Sequence, residues 1–238
     1  MSSDACGTCV EFRPRRIVRA MARVKIDFIS DVSCPWCAIA LGALEAALAK
    51  IGPDIEADLR FHPFELNPEM VKGGEDIIEH LSGKYGSPPE QMIRAQESIR
   101  ARGAEVGFEF DLDKRTRIYN TFDAHRLLHW AGIEGKQREL KEALFKAYFG
   151  EGRDPGDHEV LLELAGRVGL DTRRARQILE SEEYAREVRT EEQFYREHGI
   201  NAVPSLIVNG RYLIQGGQPV QVFEQLLRRF AAEEGKAA

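Results

Sequence analysis

Residues 24–50 read VKIDFISDVSCPWCAIALGALEAALAK. Val24 to Ser30 alternates and is rich in β-formers, which predicts a strand. From Pro35 to Lys50 the chain turns to Ala and Leu, with Ile39, Leu44 and Leu48 near one face, which predicts a helix. Proline suits its first position, because its φ is pre-set and the donor it lacks would be unpaired there. Cys34 and Cys37 stand where strand gives way to helix. The motif follows the strand directly, so the first thiol is held at the C-terminal edge of a sheet.

Gly52-Pro53 closes this helix, and IEADLRFHPF predicts a second strand. The crossover between them predicts a right-handed βαβ unit with parallel strands. After ELNPEM, helix signals dominate from about Glu75 to His198. Ser87-Pro88-Pro89 opens one helix, and Asn120 or Thr121 opens another. KQRELKEALFKAYF is amphipathic, with Leu140, Leu144, Ala147 and Tyr148 on one side. DHEVLLELAGRVG follows, then a short helix from Thr172. A polar helix over Ser181 to His198 stops at Gly199. The β signal returns in PSLIVNGRYLIQGG, where Asn209-Gly210 marks a hairpin. A last helix carries Val222, Phe223, Leu226, Leu227 and Phe230. The order is β-α-β, a helical block, then β-β-α, with no internal repeat.

An apolar share of 43% in 238 residues supports one large domain or a domain with a substantial insertion. The net charge of −6 disfavours a nucleic-acid or anionic-membrane partner. No stretch reads as the roughly 20 apolar residues of a membrane span. Near the N-terminus, Arg19, Arg23 and Lys25 interrupt every candidate for a signal core, so the Arg15-Arg16 pair marks no secretory signal. Asp4 and Glu11 oppose a transit peptide. A cytoplasmic protein is expected. There, four cysteines are too few for a disulfide framework, and their paired spacing points to redox chemistry or metal.

Dithiol exchange needs one thiol that is a thiolate near neutral pH and a second that can displace the mixed disulfide. Cys34 sits at the helix start, where unpaired N–H groups and the helix dipole favour negative charge. Cys37 lies one turn in, on the same side. The other pair, Cys6 and Cys9, has neither a strand before it nor a helix pattern after it. A zinc site built from all four cysteines is disfavoured, since 24 residues separate Cys9 from Cys34 and such sites place roughly 15–20 between their pairs.

Cys34-Pro35-Trp36-Cys37 after a strand, with Val203-Pro204 before a hairpin and a final helix, resembles the DsbA-like thioredoxin fold with an inserted helical domain. DFISDVSCPWC, FHPFELNPEM, NTFDAHRLLHWA, LFKAYFGEGRDPGDHEVLLELAGRVGLD and GGQPVQVFEQLL, taken in order over residues 24 to 230, look like its FrnE-like branch. The resemblance implies an α/β thioredoxin-like domain over residues 23–66 and 200–235. An all-helical insertion spans 67–199 and a flexible tail spans 1–22. It implies a protein dithiol–disulfide oxidoreductase or isomerase in which Cys34 attacks, Cys37 resolves, and Pro35, Trp36, Val203 and Pro204 contact substrate. A cis Val203–Pro204 bond would expose the Val203 backbone to an extended partner and keep a metal from sharing the thiols.

The implied partner is a disulfide-containing or dithiol client protein or a small thiol. No cofactor is expected beyond the redox-active pair, with glutathione as a reductant or co-substrate; no metal is expected, and the oligomeric state stays open. Kappa-type glutathione transferases and 2-hydroxychromene-2-carboxylate isomerases share this architecture and give the alternative. They typically carry serine for the first cysteine, whereas both cysteines are kept here. Trp36 stands where strongly oxidising periplasmic relatives carry histidine. Its single neutral donor brings no positive charge, which implies a less oxidising couple.

His125 and His129 have metal-ligand spacing, i and i+4, but no third ligand accompanies them, so they read as packing residues. His62, at a strand end, reads equally as lining the thiol pocket or as a loop histidine. Phe64, Trp130, Tyr148 and Phe149 read mainly as core, with an apolar groove between the domains as the functional alternative. Gly216-Gly217 reads as a flexible hairpin end or a close approach to a ligand.

Overall fold

A computed structural model describes residues 22–237 of the chain. The tail expected over residues 1–22, including Cys6 and Cys9, falls outside them apart from Ala22. Strand β1 (Ala22–Ser30) is central: it pairs parallel with β2 (Ile55–Pro63) and antiparallel with β5 (Ser205–Val208). Strand β6 (Tyr212–Gln215) completes the order β2-β1-β5-β6. Phe28 stands opposite Phe61 on one side and Leu206 on the other. Being covered on both faces, β1 is buried without interruption from Ile26 to Ser30.

Helix α1 (Pro35–Ile51) carries the crossover and buries nine side chains. With the turn that follows, Pro35–Asp54 is long and apolar enough to cross a membrane by length and composition, at a mean hydropathy of 1.3. This corrects the expectation that no such stretch exists. Half of that window is buried in the fold, because α1 is a core helix packed between α9 (Val220–Ala237) and α3 (Pro89–Glu105).

The hairpin turns at Asn209 and Gly210, whose φ values of 54° and 64° give the left-handed pair that Asn-Gly favours. The Asn209 side chain accepts from the Lys25 amide at 2.9 Å, tying the turn to β1.

Between β2 and β5 the chain is helical as expected: α2 (Ile77–Tyr85), α3, α4 (Phe122–Ile133), α5 (Gln137–Phe145) with a π turn over Lys146–Gly150, α6 (His158–Arg167), α7 (Thr172–Leu179) and α8 (Ala185–Glu197). One ribbon interrupts the helices, β3 (Glu75–Asp76) against β4 (Arg117–Ile118). Two-residue strands leave no periodicity to read. Gly74 makes the ribbon possible: its φ is 67°, and a Cβ there would come 2.1 Å from the Ile118 carbonyl oxygen.

Helix α8 begins at Ala185 instead of Ser181. The Arg126 guanidinium gathers the carbonyl oxygens of Ile178, Ser181 and Glu183, so this stretch wraps a buried cation and cannot close helical bonds. Its other end behaves as read, with Gly199 at φ 84° and the Ile200 amide bonding back to Tyr195.

Two cores meet at the cysteine turn. One joins the sheet, α1 and α9 to Phe110, Phe145, Tyr148 and Phe149 of the insertion. The other lies within the insertion but takes in Val32, from the turn between β1 and α1.

Candidate active site

Cys34 caps α1 with extended backbone (φ −90°, ψ 112°), and Pro35 occupies the first turn. The Cys34 amide donates to the Asp31 carbonyl oxygen at 3.2 Å, and the Cys37 amide donates to the Cys34 carbonyl at 3.0 Å. Both cysteines are free thiols; Cys34 keeps 3% exposure and Cys37 none.

Sheet pairing carries the Val203–Pro204 loop to this turn, and the peptide between them is cis, as expected. The Cys34 thiol donates to the Val203 carbonyl oxygen at 3.6 Å. The loop is fixed from both sides: the Gly216 amide donates to the Pro204 carbonyl at 2.8 Å, and the Ser205 hydroxyl to that of Ala202 at 2.8 Å. Pro204 is buried, Val203 is half-buried, and Asn201 and Ala202 are exposed.

Trp36 is 37% exposed and lies on Gly217. A Cβ on Gly217 would stand 3.2 Å from the indole and 3.5 Å from the Trp36 carbonyl oxygen. The glycine pair therefore serves two purposes: Gly216 takes a left-handed φ of 78°, and Gly217 makes room for Trp36.

Asp31 organises the turn. Fully buried, its carboxylate accepts from the Ser33 amide (3.1 Å), the Ser33 hydroxyl (2.9 Å) and the Leu66 amide (2.7 Å). His125 Nε2 stands 3.6 Å from its other face. Burial pushes this carboxyl up, but the His125 ring and the two amides outweigh it and hold the group at about 2. Arg115, buried over the Tyr148 and Phe149 rings, donates to the Ser33 carbonyl oxygen at 3.4 Å.

Lys141 of α5 is also buried, 1% exposed, with its ammonium 5.1 Å from the centre of the Phe145 ring. Burial pushes it down to about 8 against the opposing pull of Cys37, Asp31 and Cys34. The Cys37 thiol is pushed well up, first by burial and then by Cys34, with Lys141 working the other way.

Asp31, Arg115 and Lys141 were not among the expected site residues, although two of them left signals. An Asp two before a Ser suggests a side-chain-closed turn. A lysine three and four residues before Leu144 and Phe145 lies on the apolar stripe, where a cation needs a reason.

Phe64, Trp130, Tyr148 and Phe149 are all at most 3% exposed and serve as core, the main reading of the sequence, and the alternative of an apolar groove formed by them does not hold. An open cleft of about 980 Å³ runs along α1 past Ala38, Leu41 and Glu45, against Phe108 and Glu142. His125 is buried against Asp31, and His129 packs 5.0 Å from the Tyr184 ring. His62 is a strand residue, not a loop histidine. It lies on β2 with Nε2 2.9 Å from Asp27 and Nδ1 2.6 Å from Glu191, tying the sheet to α8. Among the described residues no group of three potential ligands is placed to hold a metal.

Comparison with known proteins agrees with this architecture. Residues 25–228 match the DSBA-like thioredoxin domain family, and the chain belongs to that family. An uncharacterised protein of Bacillus subtilis strain 168, YwbO, is 29% identical over 205 residues, 86% of this chain and 96% of its own. The structure of the probable DsbA oxidoreductase SCO1869 of Streptomyces coelicolor is similar at a TM-score of 0.81 and 33% identity, covering 89% of this chain and 91% of that one. More distant likenesses, which concern the fold alone, are a 2-hydroxychromene-2-carboxylate isomerase (TM-score 0.68, 14% identity, 90% and 99% covered) and the cytosolic disulfide reductase DsbM of Pseudomonas aeruginosa with GSH (TM-score 0.60, 17% identity, 86% and 98% covered).

Proposed function

We propose that the protein is a dithiol–disulfide oxidoreductase working through Cys34 and Cys37. One observation carries this reading: the Cys34 thiol, at the first turn of α1 with Cys37 one turn behind, lies 3.6 Å from the carbonyl that precedes the cis proline.

In the reducing direction the Cys34 thiolate attacks one sulfur of a client disulfide. A Cys34–client bond forms, and the other client sulfur leaves as a thiolate. Cys37, deprotonated in turn, attacks the Cys34 sulfur, so that the Cys34–Cys37 disulfide forms and the second client thiolate departs. Two electrons pass from the dithiol to the client, and the reverse sequence oxidises one. Negative charge on Cys34 meets the unpaired amides at the start of α1. Forming the mixed disulfide removes the thiol hydrogen that Val203 accepts, which frees its carbonyl oxygen for an amide of an extended client. Pro35, Trp36 and Pro204 complete the contact surface.

The client is a disulfide or dithiol protein or a small thiol. The pair itself is the redox group, and glutathione serves as reductant or co-substrate. The FrnE-like branch and a cytoplasmic setting fit the motif set and the cytosolic relative of like fold. Trp36, bringing no charge to the pair, suits a less oxidising couple. The same fold in an isomerase supports a second reading, a glutathione-dependent 2-hydroxychromene-2-carboxylate isomerase or kappa-type transferase; retention of both cysteines weighs against it.

The deciding experiment follows reduction of insulin disulfides by wild type, Cys34→Ser and Cys37→Ser. Loss of turnover in Cys34→Ser is expected. An unchanged rate in that variant refutes the oxidoreductase, and aromatic turnover with glutathione that survives Cys37→Ser would establish the isomerase.

A further inference from the structure

Two features of the chain lie outside the Cys34–Cys37 chemistry: the second cysteine pair, Cys6 and Cys9, and the open cleft along α1. The cleft meets α1 at Ala38, Leu41, Gly42 and Glu45. This spacing is a single helical stripe, and four residues before Ala38 the same stripe reaches Cys34. The cleft therefore runs along α1 toward the attacking thiol.

Its floor is apolar and its rim acidic. Leu41 is buried, and Val106 and Phe108 of the insertion are half-buried. Six carboxylates line the cleft against three cations. Two of the six are open to a new partner. Glu109 is exposed and forms no ion pair among the described residues, and Asp113 is 95% exposed with Arg100 at 3.9 Å. An occupant that fits combines apolar side chains with positive charge.

The chain before Ala22, which lies outside the described residues, has that composition. Residues 10–21 read VEFRPRRIVRAM, four arginines against one glutamate, with Val10, Phe12, Ile17 and Val18 among them. The segment also joins the fold at the right end. Ala22 opens β1 opposite Ile55, just after the end of α1. From there the cleft leads back along α1 toward its first turn. The reach is sufficient: β1 covers its nine residues in about 30 Å. The 13 steps of chain from Cys9 to Ala22 extend to about 43 Å.

We propose that residues 10–21 occupy the cleft along α1 and bring the Cys6–Cys9 pair to Cys34, making that pair the chain's own redox partner for the active-site disulfide. The arginines meet the acidic rim, and the apolar residues meet Leu41, Val106 and Phe108. Tethering presents the second pair at an effective concentration on the order of 1 mM. The Cys9 thiolate attacks the Cys34 sulfur of the Cys34–Cys37 disulfide. A Cys9–Cys34 bond forms, and Cys37 leaves as a thiolate that takes up a proton. Cys6, having lost its own proton, attacks the Cys9 sulfur; the Cys6–Cys9 disulfide forms and Cys34 leaves as a thiolate. Two electrons thus pass from the second pair to the first. Two equivalents of a small thiol then restore the second pair and are themselves oxidised to a disulfide.

The relay rests on the oxidoreductase reading, whereas docking of the segment is measurable without it. The full chain carrying Cys6→Ser and Cys37→Ser keeps Cys9 and Cys34 as its only cysteines. It is equilibrated at low micromolar concentration and pH 7 with reduced and oxidised glutathione. Mass spectrometry after alkylation then reads the fraction of monomer closed by a Cys9–Cys34 disulfide, which gives the effective concentration. Arg13→Glu, Arg15→Glu, Arg16→Glu and Arg19→Glu together are expected to lower it at least about 10-fold, the combined loss of several weak ion pairs. Glu109→Lys with Asp113→Lys on the exposed rim should lower it as well. Combining the two reversals should restore it, which a tether without docking would not do. An effective concentration that the reversals leave unchanged, or a chain that never closes, overturns the proposal. The electron transfer is read in the chain that keeps Cys34 and Cys37. There Cys6→Ser with Cys9→Ser should slow re-reduction of the Cys34–Cys37 disulfide by glutathione at least about 5-fold, as the tethered donor is lost. An unchanged rate overturns the relay. Insulin reduction that Cys34→Ser leaves unchanged refutes the oxidoreductase reading instead, and the closure measurement does not depend on it.

Discussion

The Cys34 thiol and the Val203 carbonyl oxygen lie 3.6 Å apart across 169 residues of chain. Strand pairing produces the contact: β5 lies beside β1 in a register that sets Ser205 opposite Ile29. The loop before β5 is thereby delivered to the turn after β1. Whatever binds at Cys34 meets the Val203 backbone at the same time, and the first expectation concerns that encounter.

Cys37→Ala is expected to trap the Cys34 mixed disulfide, because the attacking thiol remains and the resolving one is gone. Incubation with a disulfide client and intact-mass spectrometry should find the adduct on Cys34. Cys34→Ser should form none, with attack slowed roughly 100-fold or more, since a hydroxyl at neutral pH is not ionised.

Asp31→Ala leaves the amides of Ser33 and Leu66 without their buried acceptor. A loss of about 3 kcal/mol in urea unfolding is expected, the scale of a broken buried charge network. Its carboxyl lies at about 2 in the fold against 3.8 unperturbed. The contribution is therefore present above 3.8 and lost as pH falls toward 2. The gap between wild type and variant should narrow over that acid range.

Lys141 and Glu65 act on stability with opposite dependence on pH. Burial depresses Lys141 from 10.5 to about 8, so the native state binds fewer protons than the unfolded chain between those values, and stability rises with pH across them. Burial, then repulsion from Glu192, raises Glu65 from 4.5 to about 7 despite its contact with Arg189, so stability falls as pH rises through that window. Lys141→Met should gain on the order of 3 kcal/mol at pH 7 and flatten the alkaline rise. Glu65→Gln should flatten the fall between 4.5 and 7. Thermal melts over pH 4 to 10.5 measure both.

His62 bridges Asp27 and Glu191. Burial lowers its basicity, but both carboxylates outweigh this and hold it above the ordinary 6.5. Its contribution is complete below 6.5 and fades as pH rises through the elevated value. Glu191→Gln should therefore destabilise by about 1 kcal/mol at pH 5.5 and by less at pH 9. An equal loss at both pH values would show that the imidazolium is not what holds α8.

Gly217→Ala places a Cβ 3.2 Å from the Trp36 ring. The indole must shift by a few tenths of an ångström, and it can, being 37% exposed. A stability change below about 1 kcal/mol is expected, with a shifted Trp36 emission measured in a Trp130→Phe background.

Local pattern was enough to read β1, α1, the Asn209-Gly210 hairpin and most of the inserted helices. In these segments the periodicity or turn chemistry that decides the structure lies within a few residues. The Cys34–Cys37 motif was legible for the same reason, since strand, cap and thiol spacing are neighbours in sequence. The start of α8 was not, because Arg126 draws the carbonyls of residues 178 to 183 away from helical bonding from another helix altogether. The ribbon of Glu75 and Arg117 was missed because two residues carry no period.

The sequence by itself determined where a thiol would meet a helix start, since strand, cap and thiol spacing are neighbours in the chain; that Val203-Pro204 faces the thiol was implied by the family resemblance and is produced by the pairing of β5 with β1. Only the tertiary structure decided what surrounds them. Spacing alone allows Asp31 to cap an exposed turn and Lys141 to reach solvent. Burial under two joined cores makes one a fixed carboxylate and the other a lysine that titrates near neutrality. Desolvation and long-range proximity set those properties, and neither is encoded in the spacing of residues along the chain.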